Sequence, residues 1–197
     1  MLVGLLRHGE VEGGGRFRGH TDDPLTPAGL AQMYTAIADS GRWDRMISSP
    51  LARCAEFAGR YTAEHGLPLT FDARLKEMNF GAWEGRTAAE LMARDRDALT
   101  RFWSDPEKNP PPGGERLVQF QARVLAAWND IVTDQTGQKI LVVTHGGVIR
   151  VLLCHALQRP LGDLLELNVL PSTLHCIRIA GTRKRIPAMG VSGSRTA

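Results

Sequence analysis

Leu5-Leu6-Arg7-His8-Gly9-Glu10 closes a short apolar run that begins at Leu2. The run has the length and composition of a buried strand, and it hands an arginine and a histidine to whatever lies at the strand end. Glycine follows at once, so the backbone can turn sharply there. In open α/β sheets, ligands gather outside the carboxyl ends of the strands, which is where this turn would leave the imidazole.

A second stretch repeats the pattern. Lys139-Ile140-Leu141-Val142-Val143-Thr144 is apolar on both faces, as a central parallel strand is, and ends in His145-Gly146-Gly147. An apolar helix follows, to about Gln158 before Pro160. If the two strands are neighbours, His8 and His145 face each other across one crevice with Arg7 between them.

Between these strands the periodicity alternates. Thr26-Pro27 opens a helix carrying Leu30, Met33, Tyr34 and Ile37, which Ser40-Gly41 closes. Arg45 to Ser49 reads as a strand broken by Pro50, and the helix after it runs to His65-Gly66 with Arg53 in its first turn. A helix start favours anions and gives a cation little, so Arg53 there asks for a negatively charged neighbour. Leu69-Thr70-Phe71 is a third strand, and a helix from Thr87 to about Asp105 carries the Arg94-Asp95-Arg96-Asp97 solvent face. Asn109 to Gly114 holds three prolines and two glycines, a rigid loop. Glu115 to Thr133 keeps one stripe of Leu117, Phe120, Val124, Trp128 and Ile131, and Leu174 to Ile179 is a last strand. The expected fold class is α/β: a three-layer α/β/α sandwich on a mostly parallel central sheet, with a helical lid insertion.

The 197 residues suit one domain, taken as 1–180 with residues 72–114 as the lid. Residues 181–197 read as a basic, flexible tail. It carries Arg183, Lys184, Arg185 and Arg195 without an acidic residue, so the formal charge of +3 leaves −1 for the body, and the basic balance does not mark a nucleic-acid binder. Cys54, Cys154 and Cys176 are odd in number and widely spaced, which fits buried thiols in a reducing compartment rather than disulfides or a zinc site. No run has the length of a membrane span, so the expectation is a cytoplasmic protein without nucleic-acid or membrane partners. A homodimer is left open.

Glu12 to His20 is a glycine-rich loop with Gly13-Gly14-Gly15, Arg16 and Arg18, but lacks the Lys-Ser/Thr ending of a P-loop. Two histidines and the arginines Arg7 and Arg53 in one small volume would repel one another without an anion to hold. A phosphate dianion answers that charge, and the guanidinium fork matches its oxygens.

Four segments in order then carry a resemblance: Arg7-His8-Gly9-Glu10, Ser48-Ser49-Pro50-Leu51-Ala52-Arg53, Glu77 with Phe80-Gly81-Ala82-Trp83-Glu84-Gly85, and Val143-Thr144-His145-Gly146-Gly147. Together they resemble the histidine phosphatase superfamily, also called phosphoglycerate-mutase-like, over Leu2 to about Ile179. The resemblance implies a metal-independent phosphomonoester hydrolase with no cofactor. His8 would be the nucleophile that forms a phosphohistidine. Arg7, Arg53 and His145 would bind the phosphoryl oxygens, and Glu77 would act as general acid and then base. Many members have an asparagine after the first signature, where this chain has its glycine run; Arg16 and Arg18 are the candidate replacements on the phosphate. Pro112-Gly113-Gly114-Glu115-Arg116 likewise stands where the family usually ends in serine.

Within the superfamily, Arg-Phe-Arg-Gly after the signature and Phe-Gly-Ala-Trp-Glu-Gly in the lid most resemble the alpha-ribazole phosphatases of cobalamin biosynthesis. The expected substrate is therefore a small phosphate monoester, alpha-ribazole 5'-phosphate first, with a phosphoglycerate mutase or a broad sugar or nucleotide phosphatase as alternatives. Trp83 or Trp103 could wall a nucleoside-like leaving group, or both could be lid core. Glu84 is open between supporting Glu77 and capping local backbone. Three readings compete: a metal-dependent hydrolase built on His8, His145 and Glu77, a serine hydrolase using Ser48 or Ser49, and a non-catalytic phospho-ligand binder.

Overall fold

The computed structural model describes residues 1–133, 138–179 and 190–193. Its sheet is built on β1 (Leu2–Arg7) and β4 (Lys139–Thr144), which pair in parallel with Leu2 opposite Lys139 and Arg7 opposite Thr144. One step further along that register stand His8 and His145. β2 (Arg45–Ser48) lies on the far side of β4, and β3 (Leu69–Phe71) beyond it, all in parallel. β5 (Leu174–Arg178) runs antiparallel on the other flank of β1 and is edged by β6 (Gly190–Gly193), giving the order β3-β2-β4-β1-β5-β6.

Alternation along the central strands makes the three layers. Val3, Leu5, Ile140 and Val142 face a core shared with α4 (Leu117–Thr133) and α5 (Gly146–Ala156). Leu6, Leu141 and Val143 face the opposite core, under α1 (Pro27–Ile37) and α2 (Ala52–His65). With apolar side chains on both faces, the strands can exist only with helices on both sides.

The helix ends follow the local signals. Thr26 caps α1 by accepting from the Gly29 amide at 2.9 Å, with proline in the first turn. Gly66 closes α2 at φ 62°. α3 (Ala88–Ser104) begins with a reciprocal Thr87–Glu90 capping box, and breaks at Asp95, whose carboxylate recaps the second half through the Ala98 amide. The expected single helix is thus two, joined at its polar stretch. α4 starts at Leu117, two residues later than its periodicity suggests; the Glu115 amide instead donates to the Asn79 carbonyl at 2.8 Å, and its carboxylate pairs with Arg123 at 2.7 Å.

Segment 72–114 packs into the main core: Leu75, Met78, Trp83, Leu91, Leu99 and Phe102 join the cluster of α4 and α5. Arg123 ties it down from α4, donating to the carbonyls of Arg74, Lys76 and Glu77 at 2.7 to 2.9 Å. Within the segment read as a flexible tail, Gly190–Gly193 form the edge strand; residues 181–189 and 194–197 lie outside the described residues. A backbone without large side chains can satisfy its amides on the open edge of β5.

Candidate active site

β1 delivers His8 and the turn after it is fixed by glycine against glycine. A side chain on Gly9 would stand 2.1 Å from the Gly29 carbonyl oxygen, and one on Gly29 would stand 2.1 Å from that of Glu10. The turn therefore packs backbone to backbone on the start of α1, and the His8 amide donates to the Thr144 carbonyl at 3.0 Å.

The His8 ring places Nδ1 2.9 Å from the Gly9 carbonyl oxygen. A carbonyl only accepts, so Nδ1 carries the proton and Nε2 keeps its lone pair. Burial first, then the Arg53, Arg7 and Arg18 charges, push the His8 pKa down to about 3, against a smaller opposing effect of the Gly9 contact. The ring is neutral at physiological pH. Neighbouring charges are what the sequence makes visible; burial, which it does not, is the larger cause.

His145 ends β4 and lies 5.3 Å from His8, centroid to centroid, at 61°. It is fully buried and has the opposite tautomer. Arg53 donates its Nε proton to His145 Nδ1 at 3.2 Å, which leaves the ring proton on Nε2 to donate to Ser49 Oγ at 2.7 Å. Burial, with the charges of Arg53, Arg7 and Arg123 in the same direction, holds its pKa well below the usual histidine value. The Ser49–His145 pair is no hydrolase couple: Ser49 is fully buried, and the other ring nitrogen faces a guanidinium where an orienting carboxylate would be needed. A metal on His8, His145 and Glu77 would have to displace Arg53 or Ser49 from His145, since each ring nitrogen is engaged.

Arg53 projects from the first turn of α2, whose Ala52 amide is capped by Asp22 at 2.6 Å. It is fully buried, and four of its five N–H groups are on protein acceptors: His145, Thr21 O at 2.7 Å, Gly19 O at 2.8 Å and Arg18 O at 3.3 Å. Arg53 and His145 form the floor below His8, and neither lines the cavity above. Arg7 does. Its Nη1 donates to Val169 O at 2.6 Å, while its Nε is buried without a partner among the described residues, and burial lowers its pKa despite the opposing Glu77 charge. A buried unpaired donor is costly, so this one marks where an acceptor belongs.

Glu77 reaches the same cavity from segment 72–114. Its carboxylate accepts from its neighbour Met78 at 3.0 Å and from the Gly147 amide at 2.9 Å, at the start of α5. A side chain on Gly147 would meet Glu77 Oε1 at 2.2 Å, which explains the second glycine after His145.

The cavity is about 450 Å³, and its wall includes Arg7, His8, Gly14, Arg16, Glu77 and Arg150. Arg16 is exposed there with a 3.4 Å contact to Gly85 O. Arg18 also lines it, but its guanidinium staples the glycine loop, bonding Asp23 at 2.5 Å and the carbonyls of Glu12 and Gly14. Arg150 is a residue the sequence reading missed. Its Nε is anchored on Leu167 O at 2.9 Å, and its Nη1 and the Arg7 guanidinium both come within 3.3 Å of the space a Gly146 side chain would fill. The available signal was its place one helical turn beyond Gly146.

Glu77 and Arg150 also border a smaller compartment of about 170 Å³, walled by Phe102, Trp103, Leu164 and Leu165 among others. Trp83 is lid core, edge-on to Phe17 and Phe102 at 5.6 and 5.3 Å. Trp103, 45% exposed, is the tryptophan at the compartment.

Known proteins resemble the chain in sequence and in fold. The model of the histidine phosphatase superfamily (branch 1) matches residues 3–192. The chain is 31% identical over 178 residues to an adenosylcobalamin/alpha-ribazole phosphatase of Salmonella typhimurium, covering 86% of each. It is 31% identical over 170 residues to a glucosyl-3-phosphoglycerate phosphatase of Mycolicibacterium vanbaalenii, covering 81% of this chain and 75% of the relative. Among solved structures, the alpha-ribazole phosphatase of Shigella flexneri superposes with a TM-score of 0.80 at 29% identity over 91% of each chain. A mycobacterial glucosyl-3-phosphoglycerate phosphatase in complex with inorganic phosphate gives 0.76 at 26% identity, covering 90% of this chain and 89% of that one.

Proposed function

Because the chain belongs to the histidine phosphatase superfamily (branch 1) and is a phosphatase, we propose that it hydrolyses a phosphate monoester by two displacements at His8. The observation that carries this is the His8 ring: neutral, with Nδ1–H held by Gly9 O and a lone pair left on Nε2. In the first displacement that lone pair attacks phosphorus and the ester oxygen departs, taking a proton from the Glu77 carboxyl. In the second, the Glu77 carboxylate takes a proton from water, the water oxygen attacks phosphorus, and the N–P electron pair returns to the imidazole. Inorganic phosphate is released and Glu77 is again protonated.

Arg7, with its unpaired Nε, is the guanidinium placed to bind the phosphoryl oxygens. Arg53 and His145 act from beneath, supplying positive potential and a fixed wall for the nucleophile's ring. Arg16 is a candidate for the outer phosphate oxygens, whereas the engaged Arg18 serves the loop.

For the substrate we favour alpha-ribazole 5'-phosphate, whose leaving group is alpha-ribazole. What supports it is the apolar compartment beside Glu77 and Arg150, which offers Trp103 and Phe102 to a planar base, together with the similarity to alpha-ribazole phosphatases. Quench in alkaline detergent during turnover, followed by peptide mass spectrometry kept at neutral to alkaline pH because the N–P bond is acid-labile, should locate phosphate on His8. A panel of alpha-ribazole 5'-phosphate, 3-phosphoglycerate and sugar phosphates tests the leaving group; a higher kcat/KM for any other member would overturn the ribazole assignment and leave the displacement chemistry standing.

A further inference from the structure

Glu84 lies outside the cavity wall, yet it collects more donors than Glu77. Its carboxylate accepts from the amides of Gly19 at 3.0 Å, His20 at 2.9 Å, Thr21 at 3.0 Å and Phe80 at 2.9 Å, and from Thr21 Oγ1 at 2.6 Å. Three successive loop amides turned toward one carboxylate form a concave anion cradle, occupied here by the protein's own side chain. The fit excludes a side chain at position 19, where a Cβ would stand 2.3 Å from Glu84 Oε1 and 2.0 Å from the Met78 carbonyl oxygen. Burial opposes ionisation of Glu84, but its bonds from Thr21, Phe80 and His20 outweigh that and hold its pKa below the usual value.

With its amides turned toward Glu84, the loop turns carbonyls the other way. Those of Arg18, Gly19 and Thr21 receive Arg53, whose Nε fixes the unprotonated Nδ1 of His145. Glu84 sits seven residues after Glu77 in the same segment, and its bond from Phe80 pins the turn between them.

We propose that Glu84 is a positioning residue for the phosphoryl site. It grips loop 19–21 so that the loop carbonyls aim Arg53 and, through Arg53, lock His145 in the Nε2–H tautomer. The seating of the segment that bears Glu77 and the ordering of the basic floor are then one event. The inference rests on the reading of His8, Arg53 and His145 as the phosphoryl site.

The test compares Glu84→Gln with Leu99→Ala, which opens the same segment's core and removes none of the hydrogen bonds to Glu84. Glutamine keeps the shape but turns an NH2 group toward donors that need an acceptor. Three quantities are measured: thermal midpoint, inhibition by orthovanadate and inorganic phosphate, and the 15N shifts of the His145 ring.

Both variants should lose thermal stability. Only Glu84→Gln should weaken vanadate and phosphate inhibition, by about tenfold or more, and move the His145 nitrogens away from the pure Nε2–H pattern, because a displaced Arg53 no longer brings its full positive potential beneath the anion. Wild-type inhibition and ring shifts in Glu84→Gln, or equal changes in Leu99→Ala, would overturn the proposal. Should Glu84→Gln fail to fold, Thr21→Val removes a single donor and is judged by the same readouts. Absence of phosphohistidine in the wild type would instead defeat the phosphatase chemistry, while the ring shifts would still decide whether Glu84 controls His145.

Discussion

The floor of the cavity and its roof are held by different forces. His8 and His145 extend two paired central strands, and their positions follow from the β1–β4 register and from cores on both faces of the sheet. The roof divides: loop 12–21 is held by Glu84 on its amides and Arg18 on Asp23, whereas segment 72–114 packs Leu75, Met78, Trp83, Leu91, Leu99 and Phe102 into the main core and is also tied by Arg123. The reacting ring thus stands on an element that cannot shift without unzipping the sheet. The acid stands on a segment seated by apolar packing together with Arg123, beside a loop that polar contacts hold.

The sharpest break of this comparison is His8→Ala. Turnover should fall by several orders of magnitude with a folded protein remaining, since the strand ends before His8; a steady-state assay with circular dichroism checks both. On the roof, Glu77→Gln should slow alkyl phosphates by about 10² to 10⁴, the usual range for removal of a general acid, and activated aryl phosphates much less. A series of leaving groups of increasing pKa should therefore show a steeper dependence in the variant, and equal slowing would remove Glu77 from the first step. Arg150→Met should raise KM for the preferred ester by roughly tenfold, one charge-assisted hydrogen bond, with kcat little changed.

A smaller effect concerns acid. His8 and His145 are buried neutral, and their pKa values are lowered on folding, that of His8 from 6.5 to about 3. The unfolded chain binds protons at these sites below about pH 6.5 while the folded one does not. Stability should hold above that pH and fall as pH drops from about 6.5 toward 3, by at most about 1.4 kcal/mol per pH unit for each ring. Denaturant melts of the wild type and His8→Asn across this range should diverge, the variant having the shallower slope. Over the same range His8 remains a neutral nucleophile, so its protonation should not produce an acid limb near pH 6.5 in kcat/KM.

Much of the floor was legible because its signals are local. Leu2 to Leu6 and Ile140 to Val143 are too apolar to be anything but buried strands, and each ends in histidine followed by glycine. Roof and anchors were harder. Arg18 and Arg53 read as phosphate ligands from their charge, but Arg18 is spent on the loop, and Arg53 on loop carbonyls and His145. Arg150 looked like one more arginine on a helix, and Glu84 could not be placed because all its donors but the Phe80 amide lie 63 to 65 residues away.

Taken alone, the sequence determined which residue types can do chemistry and that two histidines terminate buried strands, because hydrophobic period and turn residues are properties of neighbours along the chain. Only the tertiary structure decided which nitrogen of each ring carries the proton, which arginines retain free donors, and which carboxylate faces the cavity. Those depend on partners brought within about 3 Å by folding, and a hydrogen bond has no signature in the spacing of residues that meet only in space.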